Sequence, residues 1–563
     1  MTHRISAAVL QTSLAIAALL SAGQAFAQAP PGAAQPGQIE RQFLPPPTPV
    51  PPGATVPVPA APDFRAPANA ESIRFVLRRV EIDGATAYGS DTLANAWQDR
   101  VGQTVSLADV YGWAQRLTVM YRNDGFILSR VIVPEQDIAD GVVKLRAVEG
   151  YIDGVQLQGD VGALEGAIVA RAAPLRMARP LSAAVLERQL LLINDLPGVR
   201  AQAVLKPSAG AVAAADVVIE VNQSTLYGSV EVNNRGSRSL GPWRIEAQGS
   251  VNNLAGVPSR LSLSGSSTPD DELRYGALSA DLPLGDSGLV ASATVSYAQA
   301  HPDPKRSFNV EYKTESTSGN LQLAYPLLRS LNRNLELRAA LNSIDGSTDA
   351  NGARLSTDRI RSVRLGVRFD LVDSLSGVDL VDVELSRGLD ALGARESGAT
   401  DLSNPYGRSD YSKAVLYMAR VQGLSQRWSA LLALQAQRAF DDLLTPERFS
   451  YGGSGFGRGY DPSELLGDDG AAVKLEMRYD APALVEGFRP LLYGFYEIGK
   501  VWRRHAAGLD SMDSAATAGL GARFDFSQRW SGYLEVAKPL TRDVAGEGDR
   551  DARVYVGLRV ALY

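Results

Sequence analysis

The sequence predicts a transmembrane antiparallel β-barrel of about sixteen strands, carried behind two small α+β domains. Three observations predict it. Residues 1–27 read as an export signal, residues 73–223 run twice through one β-α-α-β-β pattern, and from Ser224 onward short alternating segments follow one another without a convincing helix pattern.

In the export signal, Arg4 supplies a positive start, residues 7–22 are almost unbroken Ala, Leu, Ile and Val, and Ala25-Phe26-Ala27 fits the small-x-small cleavage rule before Gln28. The apolar run falls short of the roughly 18–20 residues that span a bilayer, and no other long apolar run follows. Membrane residence is therefore expected as a barrel. Residues 28–72 are a Pro/Ala-rich linker, stiffest at Pro45-Pro46-Pro47 and Pro51-Pro52, that cannot bury enough apolar surface to fold. Within it, residues 38–44 are a candidate plug helix of two turns, marginal without a surface to pack against; a disordered patch fits these residues equally well.

The first domain, 73–150, is expected to hold a strand over 75–82 ended by Asp83-Gly84. A short helix follows from Ser90, then a longer one from Ser106 through Tyr111, Ala114, Leu117 and Tyr121 to Asp124-Gly125. Strands over 129–133 and 142–148 complete it. The second domain, 151–223, repeats the order: strand 152–157, helices 164–172 and 183–194 with a stop at Leu196-Pro197-Gly198, and strands 201–205 and 216–221.

The 340 residues from Ser224 to Tyr563 form the barrel. Segments 361–369, 473–479 and 554–562 alternate between an apolar face and one carrying charge, Gly or Tyr, as when one face meets lipid and the other a watery lumen. Lys474, Glu476 and Arg478 stack on one such face. At roughly 21 residues per strand plus connection the region makes about sixteen strands, around a lumen that stays water-filled unless plugged.

Composition narrows function. A charged fraction of 21% and a net charge of -6 give no basic field for nucleic acid. With no cysteine and only His3, His301 and His505, disulfides, thiolate chemistry and most transition-metal sites are removed. No cofactor and no enzymatic activity are expected. The Gly-rich run 452–459 precedes neither Lys-Ser nor Lys-Thr nor a helix, His301 sits in a His-Pro-Asp-Pro turn, and His505 lies beside Arg503 and Arg504. The carboxylate pairs Asp270-Asp271, Asp441-Asp442 and Asp468-Asp469 read as solvated turn positions.

The sequence resembles the transporters of two-partner secretion, the haemolysin and filamentous-haemagglutinin transporter family within the outer-membrane assembly factor superfamily. The two repeats look like POTRA domains: Tyr121-Arg122-Asn123-Asp124-Gly125-Phe126 with Ser129-Arg130-Val131 resembles the helix-to-strand passage of the first, and Glu149-Gly150-Tyr151-Ile152 the junction between the two. Asn234-Arg235-Gly236-Ser237 and Gly241-Pro242 resemble the opening of the family's barrel. Gly455-Phe456-Gly457-Arg458-Gly459-Tyr460 is similar to the (V/I)RGY tip of a loop that folds back into the barrel, with Gly457 where an aliphatic residue is usual. Arg458, Gly459 and Tyr460 are the part carried over. The resemblance implies an acidic partner for Arg458 on an inner strand, and Phe495-Tyr496-Glu497-Ile498-Gly499-Lys500 is the matching stretch, with Glu497 in place of the usual Asp and Gly499 after it. The aromatic Tyr563 fits the family's barrel end, although Val556, Val560 and their neighbours put the apolar set one residue out of step.

The implied function is export. An unfolded exoprotein, adhesin- or haemolysin-like and β-helical, docks on the POTRA pair in the periplasm and threads through the barrel to the cell surface. Candidate docking edges are Val131, Ile132 and Val133, or Ala203 and Leu205, by strand addition, although each segment alone also reads as an ordinary buried core strand. Further expected partners are outer-membrane lipid and the barrel assembly machinery that inserts the chain. The alternative is an assembly factor for other barrels, or a passive porin; two POTRA units favour the exporter.

Overall fold

A computed structural model describes residues 30–44, 47–49, 66–210, 213–307, 309–483, 488–506 and 510–562. The export signal and Tyr563 lie outside the described residues. Among the described residues no helix is long and apolar enough to cross a membrane.

The first domain is a three-stranded sheet in the order Arg79–Asp83, Val142–Val148, Arg130–Ile132, the first pair parallel and the second antiparallel. The single strand expected over 75–82 is two. At Leu77 the chain changes partner: Leu77 exchanges backbone bonds with Gly102 and Gln103, while Arg78 N–H donates to Gly141 O. Arg74–Val76 therefore pairs with Thr104–Ser106, a strand the pattern did not announce. Helix Leu107–Asn123 begins at a capping box in which the Ser106 hydroxyl accepts from Asp109 N–H and the Asp109 carboxylate accepts from Ser106 N–H. Its buried Val110, Trp113, Ala114, Leu117 and Tyr121 recur at helical spacing and form the core with Leu77, Val143 and Leu145.

The second domain repeats the plan with Tyr151–Gly159, Ala214–Gln223 and Val199–Pro207 in that order, covered by helices Glu165–Met177 and Ala183–Asn194. The first of these helices outruns its expected end at 172 because Leu175 lies in the core beyond Pro174.

The junction explains the motifs around residues 121 and 149. The Glu149 carboxylate accepts from Thr86 N–H (2.8 Å), Ala87 N–H (2.9 Å), the Tyr121 hydroxyl (2.7 Å) and the Thr86 hydroxyl. Tyr121 is also packed edge-on against Phe126. Gly125 O accepts from Ala183 N–H and Gly150 O from Leu181 N–H, so the passage ties the two domains. Burial pushes the Glu149 carboxyl up, but the bonds from Thr86, Ala87 and Tyr121 outweigh it and hold it below its ordinary value. A depressed carboxylate contributes stability that is present above its unfolded value and lost as pH falls through the folded one. Protection of the Thr86 and Ala87 amides from hydrogen exchange is therefore expected to fall as pH drops below the ordinary glutamate range, and Glu149→Gln to flatten that acid limb.

Sixteen antiparallel strands follow as a closed barrel, from Leu226–Asn233 to Arg553–Leu562, which pair with each other to close it. The Asn234 side chain extends this seam by bonding Val554 O and Val556 N–H. In the twelfth strand, Asp469–Asp480, Val473, Leu475 and Met477 are outward and exposed while Lys474 and Glu476 are buried inward. Trp428 against Tyr479 lies at the end of the barrel that faces the second domain, Trp502 at the other. In the last strand Val554, Leu558 and Leu562 face outward and Tyr555 inward, which puts the offset apolar set on the barrel's outer face. Arg329 pairs with Asp195 and Asn253 donates to Pro197 O, so the barrel's near-side turns seat on the second domain.

Candidate functional site

The loop between the eleventh strand, Trp428–Ala439, and the twelfth leaves the far rim and returns into the lumen, stiffened by a small ribbon of Phe449–Tyr451 with Leu465–Gly467. Its tip carries the predicted motif. Gly457 has φ of +91° and lies against the Tyr451 ring, a conformation that an aliphatic residue avoids, which accounts for Gly at this position. A Cβ on Gly459 would lie 2.4 Å from Thr517 Oγ1, so only glycine lets the tip touch the wall. Gly499 does the same for the wall: the Tyr451 ring lies flat on it, 2.1 Å from where a Cβ would stand. Tyr460 is buried, its hydroxyl donating to Ala516 O at 3.1 Å.

Arg458 is 4% exposed. Its Nε donates to Glu497 Oε1 at 2.7 Å, and the other Glu497 oxygen accepts from the backbone N–H of Gly457 (2.7 Å) and Arg458 (2.9 Å). The glutamate is thus long enough to cap the loop tip as well as pair with its side chain. Two further carboxylates, not anticipated, complete the cluster: Arg458 Nη1 lies 2.9 Å from Glu476 and 3.0 Å from Glu535, and the guanidinium stacks 3.5 Å from the Phe495 ring centroid. The three glutamates come from the twelfth, thirteenth (Arg489–Trp502) and fifteenth (Trp530–Pro539) strands. Arg235, from the barrel-opening motif, pairs with Glu535 at 2.8 Å.

A second buried cluster lies nearer the loop's base. Glu447, fully buried, sits between Lys413 Nζ (2.6 Å) and Arg364 Nη2 (2.8 Å). Here the loop meets the N-terminal segment. Gly32–Ala34 and the four-residue helix Gln38–Arg41 lie in the lumen, with Ala33, Ala34 and Ile39 buried against Leu240, Leu273, Ala298 and Ala300. Gln38 donates to Thr445 O at 2.8 Å and accepts from the Ser463 hydroxyl at 3.2 Å; Arg41 donates to Pro446 O at 2.7 Å. The patch at 38–44 is ordered because the barrel supplies the surface it lacks alone. Asp468 and Asp469 are not solvated turn positions either. Asp468 is fully buried, accepting from Leu443 and Arg504 N–H, and Asp469 starts the twelfth strand and pairs with Arg438. A loop folded back on itself leaves its base without solvent.

Both candidate docking segments lie at sheet edges. Arg130–Ile132 is the short edge of the first domain; Val133 lies beyond it, and Val131 N–H is already taken by the Thr118 hydroxyl at 2.8 Å. Val199–Pro207 is the long edge of the second. Asn194 binds both backbone groups of Ala201, and strand alternation turns those of Ala203 and Leu205 to the same open side.

Residues 214–524, more than half of the chain, match the family described as haemolysin secretion/activation protein ShlB/FhaC/HecB, and residues 75–150 match the POTRA domain of ShlB type. The chain belongs to this family. Members are outer-membrane barrels with POTRA domains in the periplasm, so the far rim opens to the cell surface. Among relatives, the heme/hemopexin transporter protein HuxB of Haemophilus influenzae (strain 86-028NP) is 23% identical, over 84% of this chain and 85% of its own. The outer membrane transporter CdiB of Dickeya dadantii (strain 3937) is 23% identical, over 87% and 86%. In fold the chain is similar to CdiB from Escherichia coli, with a TM-score of 0.74 at 20% identity over 90% of this chain and 94% of that one.

Proposed function

We propose that the chain exports a dedicated partner exoprotein, delivered unfolded to the POTRA pair and threaded through the lumen while the Arg458 loop is displaced. The carrying observation is that the lumen is occupied by parts held through separable non-covalent contacts, the loop tip on three wall carboxylates and the N-terminal segment on the loop and on an apolar patch of the wall. A permanently open porin needs neither. The drive is client folding at the surface, which prevents backsliding. Names of relatives that transport haemolysin or heme/hemopexin support a secreted client. Docking fits the Val199–Pro207 edge better than Arg130–Ile132, because the first domain's edge is short and closed by Thr118. Lipid contact through the outward apolar face, insertion by the barrel assembly machinery, removal of residues 1–27 and the absence of catalysis belong to the same reading.

The test is secretion of a candidate exoprotein encoded beside this gene, with and without the chain. It is expected outside the cell only when the chain is present. Equal secretion without the chain, with other barrels failing to assemble, would replace the exporter by an assembly factor.

A further inference from the structure

The carboxylates that hold Arg458 are not left to it alone. Glu476 also accepts from Arg478 (2.8 Å) and from Arg523 (3.1 Å), and Glu535 from Arg235 (2.8 Å). Each of these cations belongs to the barrel or its first outer loop and stays when the returning loop goes. Glu497 is different. Both of its oxygens serve the loop, one on Arg458 Nε and one on two backbone N–H groups. Among the described residues its other cation is Lys474, on the neighbouring strand directly opposite Glu497 in the ladder, with Nζ at 3.6 Å, beyond a hydrogen bond. Lys474 is 9% exposed, and its ammonium also lies 5.0 Å from the centroid of the loop's Phe456 ring. It is thus loosely held while the loop is in place, and one small movement from a full cross-strand ion pair once the loop has left.

We propose that Lys474 is a positioning residue for transport that takes over Glu497 when the Arg458 loop is displaced, so that release strands no buried carboxylate. This rests on the reading that the loop moves during export. In the resting state Lys474 competes with Arg458 for one oxygen; in the released state it is the partner Glu497 has left. Removing it acts in one direction in both states. The loop is held more tightly, and its departure leaves a carboxylate without a cation on the lumen wall.

The chain has no cysteine, so a single thiol reports on the loop. Thr517 is fully buried beneath Gly459 and faces the lumen. In the full-length Thr517→Cys transporter in outer-membrane vesicles, a membrane-impermeant maleimide reacts only when the tip lifts. Lys474→Met is expected to slow labelling by about tenfold, less than for a fully buried charge because the emptied lumen readmits water to Glu497, and Lys474→Arg to restore it. In a Glu497→Gln background the Lys474→Met effect is expected to vanish, since no charge is left to strand; a merely structural lysine would show the same defect in both backgrounds. Retention of the heat-modifiable folded band on gels checks that each variant is a barrel. Unchanged or faster labelling in folded Lys474→Met, or an equal slowing in the Glu497→Gln background, overturns the proposal. Arg458→Ala separates it from the reading beneath it. If that variant speeds labelling while Lys474→Met does nothing, the loop moves and only the take-over role falls; if neither changes labelling, both fall.

Discussion

Arg458→Ala is expected to reduce secretion of the partner exoprotein by at least about tenfold while the barrel still reaches the outer membrane and still shows the folded band on gels. Among the described residues the guanidinium alone joins Glu476, Glu497 and Glu535, so its loss removes the tip's bonds to the three carboxylates except the two backbone N–H donors on Glu497, with the Tyr460 hydroxyl still on Ala516 O. Breaking a buried ion pair by removing one partner commonly costs about 3–5 kcal/mol, because a charge is left unpaired. Here the wall cations Arg478, Arg523, Arg235 and Lys474 remain beside the three carboxylates, so the cost falls on loop position rather than on the barrel. Arg458→Lys is expected to recover little of it. An ammonium is a point donor and cannot hold Glu497 through Nε and two other carboxylates through Nη1 in one plane. The measurements are client in the medium and ion conductance of the purified transporter in a planar bilayer, which should rise as the tip loosens. Secretion at the native level in a folded Arg458→Ala variant would remove the loop from the mechanism.

How much of this was legible follows from where each constraint resides. The barrel was readable because a strand with one face in lipid must alternate, and segment 473–479 carries that rule in seven residues. Arg458, Gly459 and Tyr460 were readable through the family resemblance, because the loop-tip motif that carries it is local in sequence. Glu497 came from the family resemblance of residues 495–500, which did not extend to Glu476 and Glu535, since three strands meet at one point only after the sheet closes. A signal for Glu535 existed. Tyr533-Leu534-Glu535 repeats the spacing of Phe495-Tyr496-Glu497, an aromatic two residues before an acid and so on the same inward face. The lumenal course of 30–44 was legible only as a candidate plug helix over 38–44, because four helical residues have no intrinsic stability and their order comes from the barrel wall and from Thr445, Pro446 and Ser463, more than 400 positions away. The same holds for the ribbon of Arg74–Val76 with Thr104–Ser106, whose cause is a change of backbone partner at Leu77 rather than any propensity.

Ala203→Pro is the complementary test at the other end of the path, and a tenfold or greater loss of secretion is expected with the second domain still folded. The position is chosen by hydrogen-bond direction. Asn194 Oδ1 accepts from Ala201 N–H, which places the backbone groups of the odd residues on the open side of Val199–Pro207, away from the partner strand Ala214–Gln223. A proline at 203 therefore removes no bond inside the sheet, and proline is tolerated in an edge strand whose N–H faces outward. What it removes is a donor that an added strand needs, and its ring obstructs the approach of that strand. Each lost ladder bond is worth only about 1 kcal/mol, but the obstruction interrupts pairing along the whole edge. Gln202→Pro is the control that inverts the logic: its N–H points into the ladder with Glu220, so it should unfold the domain and lose secretion through lowered protein level. Val131→Pro in the first domain should also damage folding, since it removes the donor that Thr118 satisfies. The comparison is read as client secreted per folded transporter. A normal ratio for Ala203→Pro would move the docking site off this edge, and with it the claim that the second domain receives the client by strand addition.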